Sequence, residues 1–306
     1  MTDTTNPQKF SGNLVGAMWM LASVVLFTST MTFVKLLGEE MDTFQIVFIR
    51  NTVGFLFILP FALKGGRTVF FPKRPWVLMT RVIAGNGSLF CSFYAVTHLA
   101  MATAIAIGFV RPLLLIFLAI IFLGEIIRWR RWTATAVGFI GVLVMVRPGI
   151  IDIELAVVIA LVGSGLGAIS HTCTKLLTRS ELYLTMLVYP NFVGIFLFMA
   201  PALFYWQTPT VNQVILLIVM GVCMVLAQTC VLQAFAAGDA TFVSPIQYIR
   251  LIGAVIIGLV LFGEVPDFMT MFGATIIIVA TLYMAHRELT LRHDKKSDPP
   301  TPNIDI

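Results

Sequence analysis

The sequence predicts an all-α membrane protein of ten transmembrane helices, arranged as two inverted five-helix repeats. Three observations predict it: extreme hydropathy, an internal repeat, and a one-sided distribution of lysine and arginine. Of 306 residues, 58% are hydrophobic and 11% charged, with a mean hydropathy of +0.95. A soluble domain carries about 25% charged residues, so an ordinary soluble enzyme is excluded. Disorder is excluded as well, because it needs low hydrophobicity and high charge. The net charge of +5 comes from bases in short loops and the C-terminal tail. They read as membrane-orienting charge, and no nucleic-acid partner is expected.

A bilayer core takes about 20 apolar residues per helix. The apolar segments fall at 13–37, 43–63, 75–97, 101–123, 131–147, 152–176, 182–206, 211–236, 240–262 and 267–286. Turn formers join them, as in Lys64-Gly65-Gly66-Arg67, Arg147-Pro148-Gly149 and Thr208-Pro209-Thr210. The first run is too long for a signal-peptide core and has no small-residue cleavage site after it, so it reads as a retained helix. The expected organisation is a cytoplasmic segment 1–12, a first repeat 13–148, a second repeat 152–287, and a disordered cytoplasmic tail 288–306. Cys91, Cys173, Cys223 and Cys230 lie in apolar stretches without a C-x-x-C pair, so neither a metal nor a disulfide is expected. No cofactor is implied either.

With the N-terminus cytoplasmic, the cytoplasmic connectors hold Lys64, Arg67, Lys73, Arg74, Arg128, Arg130, Arg131 and Arg179, and the tail adds Arg287, Arg292, Lys295 and Lys296. The opposite face keeps Lys35 and Arg147 beside Glu39, Glu40, Asp42, Glu264 and Asp267. Both termini are therefore expected in the cytoplasm of a bacterium, with the chain in its inner membrane.

The two halves repeat. Lys35-Leu36-Leu37 precedes Asn51 by the same 16 residues that separate Lys175-Leu176-Leu177 from Asn191, and Gly54 and Gly194 follow three further on. Arg111 precedes Glu125 of Leu-Gly-Glu by 14 residues, and Arg250 precedes Glu264 of Phe-Gly-Glu by 14. Five helices per unit is an odd number, so the second unit enters from the opposite side. Inverted repeats are the architecture of secondary transporters, with the site near the midplane between halves.

Arg111 falls near the middle of the fourth segment, Arg250 near the middle of the ninth, and Arg50 a third of the way along the second. Each costs roughly 2.5–3.5 kcal/mol at a helix centre, so all three must face protein or a wet cavity. Arg50 is assigned a structural role, donating to helix-end carbonyls. For Arg111 and Arg250 the same structural role competes with substrate binding. No Asp or Glu lies deep in a span, so the interior field is positive and favours a carboxylate, a phosphate or many acceptor oxygens. His171 is the one deep group that titrates near neutrality; it reads either as a proton carrier or as a satisfied interior histidine. Pro112 follows Arg111, and Pro245 precedes Arg250 by five residues. Each removes a helix hydrogen bond and kinks its segment beside an arginine. Interior polar groups, among them Asn86, Ser88, Ser92, Tyr94, Ser170, Asn191, Gln228, Gln233, Gln247 and Tyr248, crowd segments one to four and six to nine, leaving five and ten apolar. Phe90, Phe93, Phe109 and Tyr248 could stack on a flat ring, although 25 Phe make packing the default for any one of them.

Leu123-Gly124-Glu125, Trp132, Gly138-x-x-Gly141 and Val146-Arg147-Pro148-Gly149 in the first half, with Ser244-Pro245-Ile246-Gln247-Tyr248-Ile249-Arg250-Leu251 and Phe262-Gly263-Glu264-Val265-Pro266-Asp267 in the second, resemble the EamA type of the drug/metabolite transporter superfamily. The resemblance covers 13–287. It implies a basket of helices one to four and six to nine around a central cavity, with five and ten peripheral, and transport of small organic solutes by alternating access. Glu125 and Glu264 would then be structural helix-end residues. The kinks at Pro112 and Pro245 read on their own residues as structural, either as cavity walls or as plain packing kinks. The Arg-Pro of helix four and the Pro-x-x-Tyr-x-Arg-Leu run of helix nine resemble a bacterial subgroup of riboflavin-uptake and S-adenosylmethionine-uptake carriers; the aromatic and amide residues lean the reading to riboflavin. Arg111 and Arg250 are expected to orient the substrate, supported by Asn51, Tyr94, Gln233 and Tyr248. The expected partners are a small-molecule metabolite and the lipid bilayer, with a homodimer as the candidate assembly. An intramembrane enzyme is disfavoured, since no H-E-x-x-H, no nucleotide-binding P-loop and no deep carboxylate pair exist. A channel or a scaffold is the remaining rival.

Overall fold

A computed structural model describes residues 7–111, 114, 129–146, 155–177, 180–237, 246–247 and 249–297. Ten α-helices lie among them: α1 (Pro7–Gly38), α2 (Thr43–Lys64), α3 (Pro75–His98), α4 (Met101–Gly108), α5 (Trp129–Val146), α6 (Leu155–Leu177), α7 (Tyr183–Phe204), α8 (Val211–Ala237), α9 (Ile249–Phe262) and α10 (Phe268–Ser297). No strand occurs among the described residues. One 3-10 turn, Arg67–Phe70, joins α2 to α3.

Most expected spans match these bounds within a few residues. α4 is described only as far as Gly108, and the stretch 115–128, with Glu125, lies outside the described residues, as do Pro112, Pro245 and Tyr248. At the C-terminus, α10 continues to Ser297, past the point at 288 where a disordered tail was expected. Glu288, Leu289, Leu291, Arg292, Lys295 and Lys296 are strong helix formers, and nothing stops the helix before Pro299.

α1, α2, α6, α7 and α8 each hold an apolar stretch long enough to cross a membrane. Met18, Leu56, Phe61, Phe196, Leu203 and Ile215 are exposed on their flanks. In water such surface would aggregate; in a bilayer it faces acyl chains.

Helix pairing displays the repeat. α1 packs on α8 and α3 on α6, while α2 packs on α7, α4 on α9 and α5 on α10. Numbered within their repeats, these pairs are first with third, third with first, second with second, fourth with fourth and fifth with fifth. Only a pseudo-twofold axis relating the halves yields that pattern, with the self-paired helices lying along it. Repeat mates on α2 and α7 meet reciprocally. A side chain on Gly54 would come within 2.5 Å of Asn191, and one on Gly194 within 2.5 Å of Asn51. Each glycine thus makes room for the other half's asparagine.

Candidate substrate site

α4 ends in a tightened turn. Phe109 donates to Ala106 O and Val110 to Ile107 O, both at 3.0 Å, the i→i+3 pattern of a 3-10 turn. The Ser164 hydroxyl of α6 also donates to Ile107 O at 3.1 Å, giving that carbonyl a side-chain partner at a depth where water is scarce. This turn delivers Arg111 toward α3 and α6.

The Arg111 guanidinium lies across Gly167 of α6, whose Cα could carry no side chain without overlapping it. Nη2 donates to Ser88 Oγ at 3.2 Å and Nη1 to His171 Nε2 at 3.4 Å. Because an arginine can only donate, His171 must accept as a neutral ring protonated on Nδ1. Arg111 Nε is buried and has no hydrogen-bond partner among the described residues. On the symmetry-related helix, Arg250 stands over the ring of Phe27, 4.3 Å from its centroid, and its Nε is likewise buried with no partner among the described residues. Arg111 and Arg250 lie within charge–charge range of each other, and both act on His171. His171 itself is exposed to open space midway along α6. The structure thus brings together Arg111, Arg250 and His171. Among the described residues, no carboxylate neutralises either arginine.

A third cation joins them that sequence reasoning missed. Arg81 of α3 donates from Nε to Thr174 Oγ1 at 2.7 Å and from Nη1 to Met186 O at 2.9 Å, and its charge also reaches His171. Its signal was plain in the sequence: a fourth arginine within a span, a quarter of the way along α3. Ser88 was only one of many interior hydroxyls until Arg111 was found on it.

The other expected residues separate. Arg50 is 4% exposed, and its Nη1 donates to Asn51 Oδ1 at 2.7 Å and to Asn191 Oδ1 at 3.1 Å. Asn51, 0% exposed, donates to Asn86 Oδ1 at 3.3 Å, and Asn86 donates to Val82 O and Pro190 O. This network locks α2, α3 and α7 together, and Asn51 has no face left for a solute in this conformation. Tyr94 is half-buried and stacks on His98 at 3.9 Å between centroids. Phe90 stacks on Phe44 and Phe198, and Phe93 is fully buried, so both are spent on packing. Gln233 is exposed on α8.

Glu264 ends α9 rather than lining the arginine cluster. Gly263, at φ 64°, turns the chain so that Glu264 N donates back to Gly258 O at 2.9 Å, giving one carbonyl near the helix end a partner. The carboxylate then caps α4 by accepting from Met101 N at 2.8 Å and pairs with Lys35. Lys35 also donates to Leu99 O at 2.8 Å. One clasp joins α1, the α3–α4 junction and α9 across the two halves.

Comparison with known proteins agrees with this architecture. The model of the EamA-like transporter family matches twice, over residues 14–147 and 154–285. A protein named S-adenosylmethionine uptake transporter from Rickettsia prowazekii (strain Madrid E) is 31% identical over 275 residues, covering 90% of this chain and 94% of its own. A riboflavin transporter from Rhizobium johnstonii is 28% identical over 304 residues, covering 97% and 98%. One solved crystal structure superposes with a TM-score of 0.62 at 15% identity, over 92% of this chain and 99% of its own; it shares the fold.

Proposed function

Because this chain belongs to the EamA-like transporter family, we propose that it takes up a ring- and carboxylate-bearing metabolite of the S-adenosylmethionine type across a bacterial inner membrane. It is a multi-pass membrane transporter of a small metabolite. The observation that carries the finer reading is the pair of repeat mates Arg111 and Arg250. They lie within charge range of each other, and among the described residues no carboxylate pairs with either one. Two like charges held together without a counter-ion are costly, and an incoming carboxylate relieves that cost.

S-adenosylmethionine carries such a carboxylate together with an adenine ring, and the relative named for it shares 31% identity. Its sulfonium needs an aromatic face of its own, since Arg250 already covers that of Phe27. Riboflavin is the second reading, favoured by a relative that aligns over 97% of this chain. It offers carbonyl and ribityl oxygens to the same guanidiniums, but no charge.

Arg111 and Arg250 orient the solute. Tyr248, two residues before Arg250, is the nearest ring in sequence; Tyr94 and Gln233 contact the solute along its path, and Asn51 acts by holding Arg50 and the helix crossing. His171 takes up a proton when Arg111 turns to the substrate. Transport proceeds by rocking of one half against the other, with both termini cytoplasmic and no chemical reaction.

Proteoliposomes loaded with unlabelled S-adenosylmethionine should show saturable counterflow of labelled solute. R111Q and R250Q, at equal amounts of folded protein, should each lower it more than about tenfold, the cost of a lost charge-assisted pair. Unchanged uptake in both variants would remove the site. Uptake of riboflavin in place of S-adenosylmethionine would move the assignment to the second reading.

A further inference from the structure

Arg111 is held from three sides by groups that bear no charge. Its guanidinium lies against α6 at Gly167, with no room for a Cβ there: that atom would fall 2.6 Å from Cζ and 2.8 Å from Ser88 Oγ. Ser88, only 5% exposed, spends its own proton on Gly163 O at 2.7 Å. With the hydroxyl hydrogen committed to α6, the oxygen lone pairs are left to face Arg111 Nη2, which donates to them at 3.2 Å. Gly163 fixes that relay, since a Cβ on it would overlap Cys91 of α3 and push the helices apart. The relay and the glycine bed both sit on the α3–α6 contact, one of the closest in the molecule. Ser88 therefore receives Arg111 in one orientation only.

We infer that Ser88 and Gly167 are positioning residues for substrate recognition: they aim the Arg111 guanidinium at the anionic group of the solute and contact no part of the solute themselves. The inference rests on Arg111 being a substrate contact. A guanidinium recognises a carboxylate as a planar fork, and it gains from the second hydrogen bond only when its plane is already set. In an untethered Arg111 the charge survives and the aim is lost. Such a defect falls on affinity for solutes that carry the anion and leaves the rate of rocking intact.

The experiment measures initial uptake rates of labelled S-adenosylmethionine in proteoliposomes for the unaltered protein, S88A, S88T, G167A and R111Q. Folded protein is matched by size exclusion. S88A is expected to raise KM about tenfold, the worth of one hydrogen bond to a charged donor, with Vmax kept within about twofold. S88T, which keeps the hydroxyl, should restore KM, and G167A should raise it further by displacing the guanidinium. An analogue of the solute lacking its carboxylate should inhibit S88A and the unaltered protein equally, because it never used the fork. A KM unchanged in S88A, or an equal fall of Vmax in S88A and S88T, overturns the inference. If S88A does not fold, S88C decides, since a thiol keeps the volume and is a weak acceptor: a normal KM there overturns it and a raised one supports it. R111Q separates the two readings. If R111Q transports normally, the site assignment fails; if R111Q is impaired while S88A and G167A keep a normal KM, only the positioning role fails.

Discussion

Glu264 shows how much one side chain can hold. Its carboxylate caps the start of α4 at Met101 N and pairs with Lys35, which in turn donates to Leu99 O at the α3–α4 junction. E264Q keeps the shape but loses the charge, and E264A loses the cap as well. We expect E264A to lower the thermal midpoint in detergent more than E264Q does, with the difference reporting a cap of about 1 kcal/mol. Equal midpoints would mean that the backbone, not the carboxylate, holds this junction. Glu264 was legible as a helix-end residue from its Gly-Glu context, but its partners were not. Lys35 lies more than two hundred residues away in sequence, and no local pattern pairs them.

At the scale of elements, the crossing of α2 and α7 depends on two glycines that the sequence displayed only as part of a repeat. Gly54 receives Asn191 and Gly194 receives Asn51, while the same asparagines hold the buried Arg50. G194A places a methyl group 2.5 Å from Asn51 and Asn86, where Asn86 is tied to two backbone carbonyls and Asn51 to Arg50 and Asn86, so neither yields easily. We expect G194A to cost about 1–3 kcal/mol and to lower the folded yield on size exclusion. G87A, whose Cβ meets only the far end of Leu166 at 3.0 Å, should fold normally. A well-folded G194A would show that the helices slide apart at no cost. The spacing of Lys35, Asn51 and Gly54 against Lys175, Asn191 and Gly194 announced that these positions correspond. It could not say that they touch, because correspondence by symmetry implies contact only on the axis.

For the whole molecule, the pairing of α1 with α8, α3 with α6, and α2, α4 and α5 with their own mates is the signature of two halves related by a twofold axis in the membrane plane. An odd helix count then puts the loop before α3 and the loop before α8 on opposite faces. With the four native cysteines replaced, a single cysteine at Lys73 should be blocked by an impermeant maleimide only after the cells are opened. One at Thr208 should be blocked in intact cells. Labelling of both from one side would contradict an inverted repeat. The arginine pair belongs to this scale too. α4 pairs with α9, and the repeat mates Arg111 and Arg250 come within charge–charge range of each other.

The primary sequence by itself determined that the chain lives in a bilayer, how many times it crosses, and that its halves correspond. Those properties are written in one-dimensional quantities, namely run lengths, spacings and the sidedness of charge, which need no knowledge of neighbours. Only the tertiary structure decided which buried polar residues hold one another. It gave Asn51 to Arg50 and Asn86, spent Phe93 on the core, and set Arg111 on Ser88 and His171 within charge range of Arg250. The physical reason is that a buried polar group is judged by what satisfies it, and its partners come from other helices, at distances along the chain that no periodicity encodes.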